Sequence, residues 1–168
     1  DSTHGPGNEP GLRTLLGIPA NDIVLVSPCG ISAETGAVLA ARALRLLPPD
    51  HVLVFIGRFA NGKAKTAIRA MLRRDRTAHR CFFAGEAEPA QYRRWLAEGD
   101  LGLVLFDPAI ANMRLAAPNR FFDLLAARVP IIATEIADVA AILRRTGIGA
   151  VLRDRRPIAL ARTVTAAR

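Results

Sequence analysis

Residues 22–57, DIVLVSPCGISAETGAVLAARALRLLPPDHVLVFIG, decide the fold, because two unbroken apolar runs flank a segment with helical spacing. The runs DIVLVSP (22–28) and HVLVFIG (51–57) are rich in β-branched residues, which is typical of strands buried on both faces. The segment AETGAVLAARALRLL (33–47) ends at Pro48-Pro49, where a helix would have to stop. Two strands joined by a helix lie parallel, so this stretch predicts one β-α-β unit of a parallel sheet.

The same alternation continues to the end of the chain. Further strands are predicted at 79–85, 100–106, 129–134 and 149–153, and helices at 63–75, 89–99, 118–127, 136–145 and from about 157. The sequence therefore predicts an α/β fold: a Rossmann-like, doubly wound parallel sheet of about six strands with helices on both faces. In such folds ligands bind at the carboxyl ends of the strands, where the strand order reverses.

Composition limits the class of protein. The formal net charge is +8, which would suit an anionic partner such as nucleic acid, a membrane surface or phosphate. The arginines are scattered along the predicted helices rather than massed in one run, and no basic patch interleaved with aromatic residues is present. Arginine-rich usage without a partner is thus the simpler interpretation, and no nucleic-acid partner is predicted.

Location and redox state follow from other features. No apolar run reaches the roughly 20 residues that cross a bilayer, and the opening DSTHGPGNEPG is too polar for a signal peptide. Cys29 and Cys81 each sit in an apolar strand segment, as reduced core cysteines do. We therefore expect a cytoplasmic protein with a flexible N-terminal linker.

Several strand ends could hold an anion. Gly30 follows the first strand in a loop of small residues, Arg58 and Lys63 follow the second, and Gly85 follows the third. Backbone N–H groups, basic side chains and close backbone approach at glycine are the means by which such edges bind phosphate. Plain turns and solvated basic residues explain the same positions equally well.

The stretch APNRFFDLLAARVPIIAT (117–134) carries the most information. Pro118 suits the first helical position, and the N–H groups near Asn119 and Arg120 would then face the carboxyl edge of the sheet. Asp123 shares a face with Asn119 and could accept hydrogen bonds from ribose hydroxyls. The alternative is an ordinary ion pair between Arg120 and Asp123, three residues apart on one helix.

Four segments, in the right order and spacing, resemble retaining, family-4-like glycosyltransferases of the GT-B fold. The stretch 117–134 resembles their Pro-Asn-Lys helix, which carries an acid and leads through Gly-x-Pro into a strand. GLRTLLGIPANDIVLVSPCG is similar to the beginning of their C-terminal domain, and HVLVFIG to a strand ending in glycine. FFAGEAEPAQYRRWLAEGDLGLVLF resembles their third strand, following helix and fourth strand.

The resemblance implies the half of such an enzyme that binds the nucleotide-sugar donor. Residues 1–16 would be a linker from a missing N-terminal domain, and 17–168 the donor-binding domain. The family transfers a sugar from a nucleoside-diphosphate donor without a metal ion or other cofactor. The acceptor, a saccharide or a lipid or other small molecule, would bind through the missing domain, and the parent protein could contact a membrane surface. This fragment alone would be inactive.

The resemblance also implies site residues. Asp123 takes the place of the acid that binds ribose, Asn119 and Arg120 fall at the helix start that faces the diphosphate, and Gly30 falls in the phosphate loop. Gly85 and Glu86 fall in the loop that contacts the base. The residues themselves add Arg58 as a cation that could face the diphosphate.

The chain departs from the family pattern at four positions. Gly30 and Thr35 stand where an arginine and a lysine often neutralise the leaving diphosphate, and Leu115 where a glutamate touches the donor sugar. Arg128 replaces a common glycine. Arg58, Arg114 or Arg120 could supply the missing charge. A catalytically degenerate domain, acting as a partner or regulatory module, is the alternative function, and a GT-B-like epimerase is a further enzyme interpretation.

Overall fold

The computed structural model describes residues 10–112 and 118–167. Its centre is a six-stranded sheet in which all neighbouring strands pair in parallel, in the order β3-β2-β1-β4-β5-β6. The order reverses between β1 and β4. The strands are β1 (Ile23–Pro28), β2 (His51–Ile56), β3 (Cys81–Gly85), β4 (Leu101–Val104), β5 (Ile131–Thr134) and β6 (Gly149–Leu152).

Seven α-helices are described around the sheet. They are α1 (Leu12–Leu16), α2 (Ala37–Leu44), α3 (Gly62–Arg74), α4 (Pro89–Ala97), α5 (Asn119–Ala126), α6 (Ala137–Thr146) and α7 (Pro157–Ala166). A short 3-10 helix, Ala78–Arg80, leads into β3. Within residues 10–112 and 118–167, every helix is too short or too polar to span a bilayer.

The helices form one layer on each side of the sheet. Buried residues of α2, α3 and α7 pack against one face of the sheet, which includes Leu53 and Phe55 of β2. Buried residues of α1, α4, α5 and α6 pack against the other face. The predicted Rossmann-like, doubly wound α/β fold is confirmed, because apolar strands such as β2, buried at every residue, require cover on both faces.

The helix boundaries show two local differences from the sequence-based prediction. The predicted helix 33–47 is regular only from Ala37, since Gly36 has a left-handed φ of 81° and residues 32–36 turn around the Thr35 hydroxyl. Pro118 lies just before α5 in an extended conformation rather than at its first position, and its carbonyl accepts from the Phe121 N–H at 2.9 Å.

Helix α1 lies inside the range predicted as a linker. Leu12 is fully buried, and the Glu98 carboxylate accepts hydrogen bonds from the backbone N–H groups of Leu12 (3.0 Å) and Arg13 (2.9 Å). A five-residue helix gives almost no periodic signal in the sequence, and here it is held by Glu98, far along the chain. Packed structure thus begins before residue 17, while the division into a linker and a donor domain stays a prediction.

Candidate functional site

A cleft of about 630 Å³ opens at the carboxyl ends of β1, β2 and β3, beside the strand-order reversal. Helix α4 and the start of α5 form its far wall. Because the loops that leave three neighbouring strands meet here, residues distant in sequence become neighbours. The lining residues are Cys29, Gly30, Ile56, Gly57, Arg58, Gly85, Glu86, Ala87, Glu88, Pro89, Gln91, Tyr92 and Arg120.

Glycines let the first two strand ends pack closely while leaving the cleft open. Gly57 has a φ of 148°, and a Cβ there would lie 2.2 Å from the Cys29 carbonyl oxygen. A Cβ on Gly30 would meet nothing within 4 Å. The backbone at Gly30 is therefore accessible from the cleft, as a ligand that binds main-chain groups requires.

The rim of the cleft carries an ion pair between Arg58 and Glu86, with 2.6 Å between Arg58 Nε and Glu86 Oε2. The hydrogen bond from Arg58 lowers the pKa of Glu86, and the same bond raises the pKa of Arg58. Both side chains are exposed, so the pair is weak and able to exchange partners. Arg58 lines the cleft, but its charge is compensated by Glu86, which is also a predicted site residue.

A second polar group joins α4 to α5 through Tyr92. The Tyr92 hydroxyl donates to Asp123 Oδ2 at 3.1 Å and accepts from Arg120 Nη1 at 3.3 Å, and the Arg120 guanidinium lies 5.6 Å from the centre of the Tyr92 ring. Burial raises the pKa of Tyr92 to about 12, against a smaller opposing effect of Arg120, while Asp123 adds a small increase. The hydroxyl therefore stays protonated at neutral pH and donates to the carboxylate.

Asn119 and Asp123 lie outside the main cleft, in an adjoining groove of about 570 Å³. Arg120 lines both spaces and connects them. Asp123 is paired with Arg120 at 3.8 Å, as the simpler interpretation of this helix anticipated, but its side chain remains 36% exposed. The structure thus brings Gly30, Arg58, Gly85, Glu86 and Arg120 into one cleft, and puts the other two predicted residues beside it.

Several cleft residues were not predicted for the site from the sequence, among them Tyr92, Gln91 and Cys29. Tyr92 shares its helix with the buried Trp95 and Leu96, and its one signal in the sequence is a polar hydroxyl on an otherwise apolar helix face. Cys29 is buried and free, as predicted, but it lines the cleft. Burial raises the pKa of the Cys29 thiol, against smaller opposing effects of Ser27, Thr35 and Arg120, so it is a neutral wall residue rather than a reactive thiolate.

The positions that depart from the family pattern bring little positive charge. The Thr35 hydroxyl donates to the Gly30 carbonyl at 2.6 Å and shapes the loop without charge. Arg128 is exposed, beyond the end of α5. Among the residues lining the cleft, Arg58 and Arg120 are opposed by Glu86 and Glu88. Arg114 and Leu115 lie outside the described residues.

No metal centre is apparent within residues 10–112 and 118–167, where no three His, Cys, Asp or Glu side chains are grouped to hold an ion. The expectation of a metal-free donor site stays a prediction. The polar groups that a ligand would meet are instead backbone amides, two arginines and carboxylates.

Comparison with solved structures identifies the fold. The chain is similar to HepE of Anabaena, solved in complex with UDP-glucose, with a TM-score of 0.76 and 20% identity over 92% of this chain and 41% of that one. It is also similar to WaaG, a glycosyltransferase involved in lipopolysaccharide biosynthesis, with a TM-score of 0.74 and 16% identity over 92% of this chain and 40% of that one. No protein-family model and no curated protein sequence matches the chain.

The matched region is informative. The C-terminal domain of LpcC, a glycosyl transferase group 1 family protein of Francisella tularensis, aligns with a TM-score of 0.73 and 14% identity over 91% of this chain and 78% of that one. The chain spans only about 40% of the length of HepE and WaaG. Its fold is that of the C-terminal domain of a GT-B glycosyltransferase.

Proposed function

We propose that this chain is the donor-binding domain of a glycosyltransferase and binds a nucleoside-diphosphate sugar in the cleft at the ends of β1–β3. The observation that carries the proposal is the position of Arg120, at the start of α5 and in the cleft that also exposes Gly30. The N–H groups of Asn119 and Arg120 begin the helix, where no intrahelical acceptor serves them. The helix dipole there would stabilise an anion by roughly 0.3–1 kcal/mol, and the guanidinium adds charge-assisted hydrogen bonds.

Charge determines how the donor would lie. The diphosphate is best placed between the Gly30 loop and the start of α5, because the other end of the cleft carries Glu86 and Glu88. The base would then lie near Gly85 and Glu86, with its edge facing backbone and polar groups. Asp123 keeps unused lone pairs and is partly exposed. It can therefore accept a hydrogen bond from a ribose hydroxyl while the Tyr92 hydroxyl donates to its Oδ2.

In a complete enzyme, these groups would act on the leaving nucleoside diphosphate. Transfer of the sugar breaks its bond to the β-phosphate and leaves negative charge on that phosphate. Preorganised N–H groups and Arg120 would stabilise the charge as it develops. No metal ion is required by this proposal, so chelators should leave donor affinity unchanged.

Calorimetric titration of the chain with UDP, GDP and dTDP, with and without EDTA, tests the proposal. We expect saturable binding of at least one nucleotide, insensitive to EDTA, and its loss in Arg120→Ala. Arg144→Ala on α6 is the matched control. It removes the same charge at a site away from the cleft and should bind normally. Absence of binding to all three nucleotides by a folded chain would contradict the proposal.

One observation favours a second candidate, a degenerate domain that acts as a partner or regulatory module. The cleft cations are each opposed by a carboxylate, and Thr35 is neutral where the family pattern has a basic residue. The full-length parent protein decides between the two functions. Nucleotide binding with sugar transfer or donor hydrolysis would support the enzyme, and binding without either would support the degenerate domain.

A further inference from the structure

The two helical layers of this domain differ in their acidic residues. Helices α2, α3 and α7, which cover one face of the sheet, contain no Asp or Glu. They carry seven basic residues: Arg42, Lys63, Lys65, Arg69, Arg73, Arg74 and Arg162. All seven are exposed, and we call this surface the basic face. Five arginines and two lysines that are separated in the sequence therefore share one side of the molecule.

The opposite layer has a different balance. Its helices include Asp123 and Asp138, and three of its six arginines have acidic partners: Arg13 contacts Asp100 at 2.8 Å, Arg120 contacts Asp123, and Arg144 contacts Glu135. Among the described basic-face residues, an ion pair is seen only for Arg74, with Asp75 at 3.1 Å. The net positive charge of the basic face is thus left for an external anionic partner.

Apolar side chains are interspersed among these charges. A groove of about 360 Å³ between α2 and α3 is lined by Val38, Ala67 and Met71 and is edged by Arg42 and Arg74. Leu46, just after α2, and Ile158 of α7 are each 42% exposed. A protein surface that combines basic residues with exposed aliphatic ones can bind the headgroup region of a bilayer.

We propose that the basic face docks on a bilayer that contains anionic phospholipids. Nucleic acid fits this surface less well, because α2, α3 and α7 contain no aromatic side chain on which a base could stack. The face is separate from the cleft, whose walls come from strand ends and from α4 and α5 in the opposite layer. Docking would therefore leave the cleft accessible, and the proposal does not depend on what the cleft binds.

Co-sedimentation with vesicles tests the proposal. One set contains phosphatidylcholine alone, and the other contains about 30% phosphatidylglycerol, the anionic lipid expected to attract Lys and Arg. We expect binding to the anionic vesicles only. Raising the salt from about 50 to 300 mM should weaken this binding more than tenfold, because the Debye length becomes shorter. Equal binding to both vesicle types, or no binding to either, would overturn the proposal.

A matched pair of variants localises the effect. Arg42→Gln, Lys65→Gln and Arg73→Gln together remove three basic-face charges that have no described ion pair, and each should weaken binding roughly fivefold, about 100-fold in all. Arg93→Gln, Arg94→Gln and Arg145→Gln remove the same charge from exposed sites of the opposite layer and should change binding little. Circular dichroism checks that both remain folded. Equal losses in the two triples, or tighter binding to duplex DNA or RNA than to anionic vesicles, would refute docking by this face.

Discussion

Tyr92 links the only two charged residues of α5, since its hydroxyl contacts both Arg120 and Asp123. A hydroxyl that accepts from a guanidinium and donates to a carboxylate holds both side chains in one arrangement. The arrangement fixes the Asp123 carboxylate beside the cleft without enclosing it. A nucleotide would therefore meet a positioned acid rather than a mobile one.

Replacement of Asp123 by alanine tests its role as a ribose acceptor. Under the proposed function, Asp123→Ala should weaken nucleoside-diphosphate binding about tenfold, the effect of losing roughly 1.5 kcal/mol of hydrogen bonding. Inorganic diphosphate has no ribose, so its affinity should not fall and should rise slightly as Arg120 loses a nearby carboxylate. Calorimetry with both ligands measures the difference, and Tyr92→Phe controls for the loss of the Tyr92 contact. Equal losses for the two ligands would exclude the ribose role.

Arg128 sits in a conformation that suits glycine. Its φ of 59° lies in the left-handed region, just past the end of α5, and its side chain is exposed. This conformation costs a non-glycine residue roughly 1–2 kcal/mol, and the greater freedom of glycine in the unfolded chain offsets about half of the gain. Arg128→Gly should therefore raise the free energy of unfolding by about 0.5 kcal/mol.

Urea denaturation measures this change. Arg128→Ala keeps the left-handed strain and should give no comparable gain. Arg76, with a φ of 56° after α3, offers an independent second site where substitution by glycine should have the same effect. If Arg128→Gly proved less stable than the original chain, the side chain would have to make a stabilising contact that outweighs its backbone strain.

At the scale of elements, the connection from β1 to α2 contains two glycines in different environments: Gly36 is packed against Leu105, and Gly30 lines the cleft. A Cβ on Gly36, whose φ is 81°, would lie 2.3 Å from Leu105 Cβ and 2.4 Å from the Leu105 carbonyl oxygen. Gly36→Ala should therefore cost about 3 kcal/mol of stability, through overpacking and backbone strain together. A melting curve followed by circular dichroism would reveal it.

Gly30→Ala is the natural comparison in the same loop. Its Cβ would point into open space, so stability should change by less than about 0.5 kcal/mol. Under the proposed function, the new methyl group lies where the diphosphate approaches the backbone, and nucleotide affinity should fall several-fold. Unchanged affinity in a folded Gly30→Ala chain would mean that the ligand does not approach this loop.

At the scale of the whole molecule, the sequence predicted the sheet and its layers well because buried elements have recognisable local patterns of apolar residues. Strands such as β2, buried throughout, read as continuous apolar runs, and the helices between them follow from their spacing and terminal prolines or glycines. The strand ends could then be assigned to one edge. For this reason the sequence could assign seven candidate residues to that edge, and five of them line one cleft in the structure.

What the sequence could not predict depends on pairings between distant residues. The Arg58–Glu86 ion pair, the Tyr92–Asp123 hydrogen bond and the anchoring of α1 by Glu98 join separate segments and leave no periodic signal. The basic face could not be predicted for the same reason, since α2, α3 and α7 meet only after the chain has folded around the sheet. What distinguishes this layer is that its helices contain seven basic residues and no acidic ones.

Ligand-dependent stability gives a prediction for the whole chain. A nucleotide that binds only the folded state, at about 100 times its Kd, adds about 2.7 kcal/mol to the free energy of unfolding. For a domain of this size each kcal/mol shifts Tm by roughly 2–4 °C, so the preferred nucleoside diphosphate should raise Tm by about 5–10 °C. The matching nucleoside, which lacks the diphosphate, should give a much smaller shift because it cannot use Arg120 or the start of α5. Equal shifts for nucleoside and nucleotide would show that the base alone is recognised, and the diphosphate role of α5 would have to be abandoned.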